Sequence, residues 1–248
     1  AAADGSGPQA GSRVVGFLPS GAWAEVVAVP THSVAVLPER MSFEEASTLP
    51  VAGLTALYAL EEGGNLLGRS VLVTGASGGA GQFGLQLARA AGARVVGLVR
   101  REEHAGRVEE AGAHEVVVDE SGAAARERGP YYLVLESVGG ELLGNALSML
   151  VPGGTCVSFG TSASAEVAFD ARTLYLTGGA RLYGFILFHE VLGRPASGGL
   201  DRLARMVADG RLKPRIEVQA PWTEVGEIAR RLIERGYTGK AVLRVGPN

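Results

Sequence analysis

The chain has 248 residues, 46% of them hydrophobic and 20% charged, which suits one large domain or two interlocked ones with a substantial core. Its formal net charge of -3 leaves no electrostatic footprint for nucleic acid, and no apolar run approaches the ~20 residues that cross a bilayer. The single cysteine, Cys156, rules out an internal disulfide and points to a reducing, cytoplasmic setting.

Residues 1–12 are rich in Gly, Ala and Ser and read as a loop, with no signal-peptide pattern. Arg13–Phe17 and Trp23–Val29 are predicted as short strands, separated by the turn signal Pro19-Ser20-Gly21. Ser42 opens a helix whose first turn carries Glu44 and Glu45; Pro50 interrupts it, and a second helical stretch runs from about Ala52 to Glu61. From Ser70 strands and helices alternate strictly. Ser70–Thr74, Arg94–Val99, Glu115–Val118, Tyr132–Leu135, Thr155–Phe159 and Arg181–Phe188 read as strands. Ala80–Ala91, Glu102–Ala111 and Glu141–Leu150 read as helices. Runs such as Val71-Leu72-Val73 and Leu133-Val134-Leu135 are apolar throughout, as strands buried on both faces of a parallel sheet must be. The fold class is therefore α/β, a Rossmann-type doubly wound parallel sheet. The tail adds a helix over Leu200–Asp209, a strand over Arg215–Val218, an amphipathic helix over Glu224–Arg235 and a last strand over Lys240–Val245. These are expected to pack back on the N-terminal strands as a second lobe.

The central motif is Val73-Thr74-Gly75-Ala76-Ser77-Gly78-Gly79-Ala80-Gly81, placed after an apolar strand and at the start of a helix. Gly75 permits a tight turn, Gly78 and Gly79 let backbone N–H groups approach a pyrophosphate, and Gly81 allows close helix packing. The first turn of the helix then offers free N–H donors and a partial positive charge to an anion. The next strand ends Gly97-Leu98-Val99-Arg100-Arg101, where NAD-binding versions of this unit carry an acidic residue for the ribose 2′-OH. Two guanidinium groups in place of a carboxylate fit the 2′-phosphate of NADP(H). Glu102 and Glu103 are expected to point away, into the next helix.

Several blocks occur together in one order: Gly11-Ser12-Arg13-Val14-Val15-Gly16, Gly21-Ala22-Trp23-Ala24-Glu25-Val26, Leu49-Pro50-Val51-Ala52-Gly53-Leu54-Thr55-Ala56, the glycine loop, Glu136-Ser137-Val138-Gly139-Gly140, Pro152-Gly153-Gly154 and Gly239-Lys240-Ala241-Val242-Leu243. In this the chain resembles the medium-chain dehydrogenase/reductases of the zinc-independent, quinone oxidoreductase (zeta-crystallin-like) branch. The resemblance implies that residues 1–45 are the remnant of a GroES-like catalytic lobe, residues 46–195 the NADP(H)-binding Rossmann domain, and residues 196–248 a linking helix and return to the catalytic lobe. It implies a further N-terminal segment, carrying part of the substrate pocket, that this sequence does not contain. It also implies cofactor contacts. Thr55 would lie near the nicotinamide, Ser77, Gly78, Gly79 and Ala80 on the pyrophosphate, and Arg100 and Arg101 on the 2′-phosphate. Val138 would lie near a ribose, with Phe159, Gly160 and Thr161 at the end of the fifth strand and Phe185, Ile186 and Leu187 over the nicotinamide. A homodimer through the strand around Arg181–Phe188 is implied as well.

The zinc-dependent relatives carry four closely spaced cysteines after the Gly-Asp-Arg-Val turn. Here Val14 is followed closely by Gly21-Ala22-Trp23 with no cysteine, and no metal site is expected. Cys156 reads as a small buried hydrophobe, Trp222 as packing for the terminal helix, and Arg230-Arg231 with Glu234-Arg235 as a solvated face. His32, His104, His114 and His189 share no metal spacing, and Ser77 lacks a nucleophile elbow. The resulting expectation is hydride transfer from NADPH to a quinone or an α,β-unsaturated carbonyl, with no proton donor among the side chains. Two other readings stay open at this stage: an enoyl reductase acting on acyl thioesters, and a non-catalytic NADPH-binding protein of the crystallin kind.

Overall fold

In the computed structural model, which describes residues 2–246, Val14–Gly16 forms β1 and Val34–Val36 forms β2, an antiparallel pair with Val15 opposite Ala35. The strand expected over Trp23–Val29 does not form: the segment runs as bends and coil, with Val26 90% exposed. Its β-branched residues have the propensity, but no described strand pairs with them, and an unpaired segment gains nothing from strand geometry. Trp23 meets Trp222 instead, at 5.4 Å between ring centroids. Ser42 caps α1 (Phe43–Ser47) with a full capping box: its hydroxyl accepts from the Glu45 N–H at 3.1 Å, and the Glu45 carboxylate accepts from the Ser42 N–H at 3.0 Å. Pro50 has no N–H to continue the ladder, and the chain passes through one π-helical turn, Leu49–Gly53, into α2 (Leu54–Glu61).

The alternation expected from Ser70 onward is present. It comprises β3 (Ser70–Val73), α3 (Gly79–Ala90), β4 (Arg94–Val99), α4 (Ala105–Glu110), β5 (Glu115–Val118), β6 (Tyr131–Glu136), α5 (Gly140–Leu147), β7 (Leu150–Ser158), α6 (Ala171–Leu176) and β8 (Arg181–Gly184). The six strands form one parallel sheet in the order β5-β4-β3-β6-β7-β8. The chain walks outward from β3 to β5, then returns to the other side of β3 and walks outward again. The point of reversal, between the carboxyl ends of β3 and β6, is where open α/β sheets bind ligands. Both faces of the central strands are covered. Val71, Val73, Val95, Leu133 and Val134 have no exposed surface, which is why their runs are apolar without alternation. Cys156 lies in this core, beside Val134 in the next strand.

The strand expected over Arg181–Phe188 stops at Gly184. β7 ends at Ser158, so after the Phe185 N–H has donated to the Ser158 carbonyl at 2.8 Å no ladder neighbour remains, and the chain turns into α7 (Leu187–Gly193). Then follow α8 (Ala196–Ala208), β9 (Ile216–Pro221), α9 (Val225–Ile233) and β10 (Lys240–Arg244), with β9 and β10 a parallel pair. On α8 the residues Leu200, Leu203, Ala204 and Val207 are buried at helical spacing, while Asp201 and Arg205 pair on the outer face. On α9 the Arg230 guanidinium is held between Glu227 and Glu234, the solvated face expected of that run.

Two compact units result: one made of the stretches up to Leu54 and from Leu187 onward, the other of Thr55–Ile186. Among the described residues no helix is long and apolar enough to cross a membrane.

Candidate functional site

The loop between β3 and α3 is built so that only glycine fits at its key points. Gly75 has a φ of +54°, in the left-handed region, and a Cβ there would stand 2.6 Å from the Ser137 Oγ. A Cβ on Gly81 would overlap the Gly75 carbonyl oxygen and stand 2.8 Å from the Ala76 Cα. Gly81 therefore seats the helix on its own loop, whereas the glycine that brings α3 onto the sheet is Gly84, whose Cβ would lie 3.0 Å from the Leu135 Cδ1. The Gly78 N–H is used inside the loop, donating to the Gly75 carbonyl at 2.9 Å. The donors that remain for a ligand are those of the first turn, Gly79 to Gly81, which have no acceptor within the helix. No side chain caps this end, since Gly78 is the N-cap and has none. A 12-residue helix thus presents its uncapped N-terminus at the reversal point of the sheet, an arrangement that binds anions. Gln82, buried, buttresses the loop by donating from Nε2 to the Ala76 carbonyl at 3.2 Å.

Across the reversal point the end of β6 is fixed by a residue not singled out from the sequence. Glu136 has no exposed surface. Its Oε1 accepts from the backbone N–H of Val138 at 2.6 Å and of Gly139 at 2.8 Å, and its Oε2 accepts from the Ser158 hydroxyl at 3.2 Å. The Thr74 hydroxyl accepts from the Ser137 N–H at 3.0 Å and lies 3.5 Å from Oε1. One carboxylate therefore ties together the carboxyl ends of β3, β6 and β7. Burial pushes the Glu136 carboxyl above its usual range, and this outweighs the hydrogen bonds from Gly139, Val138, Ser158 and Thr74, which favour the charged form. Its neighbour Cys156 is pushed up too, by burial first and by the Glu136 charge second, and is no thiolate.

Arg100 and Arg101 lie just past β4, the strand next to β3, and both are exposed. Arg101 donates to the Glu103 carboxylate at 3.3 Å, so Glu103, in the short 3-10 turn Glu102–His104, turns toward Arg101, contrary to expectation. Arg100 makes no hydrogen bond or ion pair among the described residues. On the other side of the sheet Val138 follows β6, half-buried, and Phe159, Gly160 and Thr161 follow β7. Gly160 is close-packed: a Cβ would stand 2.8 Å from the Ser137 carbonyl oxygen. Phe185 is buried edge-on to Phe159, with ring centroids 6.4 Å apart.

Residues 79–197 match the family described as zinc-binding dehydrogenase. The human synaptic vesicle membrane protein VAT-1 homolog is 30% identical over 96% of this chain, which spans 66% of that protein's length. Human quinone oxidoreductase is 31% identical over 90% of this chain, which spans 69% of it. The chain belongs to the medium-chain dehydrogenase/reductases, in the zinc-independent quinone oxidoreductase branch. Among solved structures, the Escherichia coli quinone oxidoreductase complexed with NADPH superposes with a TM-score of 0.85 at 26% identity, covering 96% of this chain and 76% of that one.

In this medium-chain dehydrogenase/reductase the sites read from the sequence divide between the two units. Ser77, Gly78, Gly79, Ala80, Arg100, Arg101, Val138, Phe159, Gly160, Thr161 and Phe185 all belong to the unit of the parallel sheet. Thr55 belongs to it as well, in α2, buried at 9% exposure. Leu187, which opens α7 and is buried, belongs to the other unit. Among the described residues no three His, Cys, Asp or Glu side chains stand close enough to hold a metal ion.

Proposed function

We propose that this chain binds NADP(H) at the reversal point of its sheet and serves an oxidoreductase that passes hydride from NADPH to a quinone or an α,β-unsaturated carbonyl. The observation that carries the reading is Arg100, unpaired among the described residues, one strand away from an uncapped, glycine-cradled helix N-terminus. The first-turn amides of α3 suit a pyrophosphate, and a guanidinium past the end of β4 suits a phosphate on the adenosine ribose. The Escherichia coli relative is complexed with NADPH, in agreement. The cofactor, when bound, supplies the hydride. The chain's part is to hold and orient it: Gly79 to Gly81 on the pyrophosphate, Val138 beside a ribose, and Phe159 and Phe185 as an apolar wall that keeps water away.

The test is to follow NADPH absorbance with a small quinone or enone as acceptor, against NADH at the same concentration. The expected result is acceptor-dependent oxidation of NADPH with NADH turned over at least about tenfold less efficiently. Tight NADPH binding with no acceptor-dependent oxidation would overturn the catalytic part of the reading and favour a binding protein.

We further propose a homodimer through β8. Among the described residues this strand is the last of its sheet, so one side of its backbone ladder has no strand beside it, and Leu182 in it is 43% exposed. Pairing with its twin across a two-fold axis would satisfy both edges. Light scattering is expected to give a dimer for the native chain and a monomer for Leu182→Asp, which would bring two carboxylates together at the axis. A native monomer, or a dimer indifferent to the substitution, would sink the idea.

A further inference from the structure

The buried polar group that nucleotide binding leaves unexplained is Glu136. No cation pairs with it among the described residues; its partners are two backbone amides and two hydroxyls. The neighbouring strands bring Thr74, just past β3, and Ser158 and Cys156 from β7, and no arginine or lysine. A buried carboxylate without a counter-ion is costly, and here the donors around it offset that cost. What the carboxylate does that leucine could not is fix a backbone. Val138 and Gly139 aim consecutive N–H groups at one oxygen, and Gly139 and Gly140 follow with φ of +76° and +58°, a turn that L residues rarely adopt. That turn leans on the phosphate loop: a Cβ at Gly75 would touch the Ser137 Oγ at 2.6 Å and the Val138 Cγ2 at 3.5 Å. The Ser137 carbonyl and the Val138 carbonyl in turn accept from Ser162 at 3.4 Å and Ala163 at 2.8 Å, past the end of β7.

We infer that Glu136 is a positioning residue for the nucleotide: through its hydrogen bonds to Val138 and Gly139 it sets the Ser137–Gly139 turn, and through that turn the phosphate loop, in the form that receives the cofactor. The inference rests on the NADP(H) reading above. It makes the acceptor oxygen, not the bulk of the side chain, the property that matters. A glutamine retains that oxygen for the two amides, and its Nε2 finds an acceptor in the Ser158 hydroxyl. A leucine retains the bulk alone.

NADPH affinity and melting temperature are to be measured for the native chain, Glu136→Gln, Glu136→Leu and Thr74→Val. Glu136→Leu is expected to weaken NADPH binding about tenfold or more, as the loss of hydrogen bonds to a charged acceptor predicts. Glu136→Gln is expected to stay within about threefold of the native affinity. In a heteronuclear spectrum the Val138 and Gly139 amide resonances should move in the leucine variant and hold in the glutamine variant. If the leucine variant does not fold, Thr74→Val, which removes the hydroxyl that holds the Ser137 N–H and faces the Glu136 carboxylate, should weaken binding by about threefold or more. Native affinity in a folded Glu136→Leu, or in Thr74→Val, overturns the inference, whatever the melting temperatures do. Failure of the native chain itself to bind NADPH overturns the nucleotide reading, and this one with it.

Discussion

Gly81→Ala is expected to destabilise the chain by about 3 kcal/mol, the upper end of what overpacking costs, and to weaken NADPH binding about 100-fold. The added methyl would meet the Gly75 carbonyl oxygen, the Ala76 Cα and the Ala76 carbonyl oxygen, all backbone atoms. None can rotate away, so the loop or the helix must shift. Gln82 resists the shift, because its side chain grips the Ala76 carbonyl, and so does Ser137, which stands against Gly75 on the other side. A shift large enough to clear the methyl displaces the first-turn amides, and two charge-assisted hydrogen bonds at about 1.5 kcal/mol each account for the loss of affinity. Gly106→Ala is the control. Gly106 lies in α4, and nothing beyond its chain neighbours and its own helix backbone comes within 4 Å of the place its methyl group would take, so alanine there should stabilise by up to about 1 kcal/mol. Denaturant unfolding and NADPH titration of both variants decide the matter. A Gly81→Ala chain that binds as tightly as the native one would mean that the first turn of α3 does not hold the pyrophosphate.

The sheet is legible in the sequence because burial on both faces writes itself as unbroken apolar runs. Arg94–Val99 and Glu115–Val118 form strands with the bounds their residues suggest. The unit made of the chain ends is harder to read. Trp23–Val29 has the composition of a strand, but strand formation depends on a partner, and the partner β1 takes is the short Val34–Val36. The end of β8 escapes sequence reading for a related reason. Phe185, Ile186, Leu187 and Phe188 are as apolar as a strand, yet β7 runs out at Ser158 and leaves them nothing to pair with. At the site, Gly75, Gly78 and Gly81 announce the loop, since only glycine tolerates such approaches. Glu136 is part of a recognised block and carries no role that the sequence assigns. Its signal is nonetheless there: a charged residue closing the apolar run Tyr131–Leu135 has to be buried with the strand, and a buried carboxylate needs donors. What the sequence could not reveal is which donors, because Thr74 and Ser158 are 62 and 22 residues away along the chain.

Arg100→Ala is expected to weaken NADPH binding about 100-fold while leaving NADH binding unchanged, and Arg101→Ala to do so about tenfold or less. The difference follows from what each guanidinium is doing in the free chain. Arg100 is exposed and has no partner among the described residues, so a phosphate placed beside it gains a charge-assisted, bidentate contact without displacing another. Such a contact is worth about 3 kcal/mol, which corresponds to about two orders of magnitude in affinity. Arg101 already leans on Glu103 at 3.3 Å, with both side chains about 60% exposed. That pair contributes at most about 1 kcal/mol, but it must be given up or shared before Arg101 can turn to a ligand, and the nearby carboxylate repels the phosphate. Glu103→Gln should therefore strengthen NADPH binding about threefold and raise the share carried by Arg101. NADH lacks the 2′-phosphate, so its affinity separates two ways in which an arginine can matter. If Arg100→Ala weakens both nucleotides equally, the guanidinium supports the fold of the crevice or the adenine itself, and the preference for NADP(H) must come from elsewhere. If NADPH alone suffers, the strand end after β4 is the place where this chain distinguishes the two cofactors.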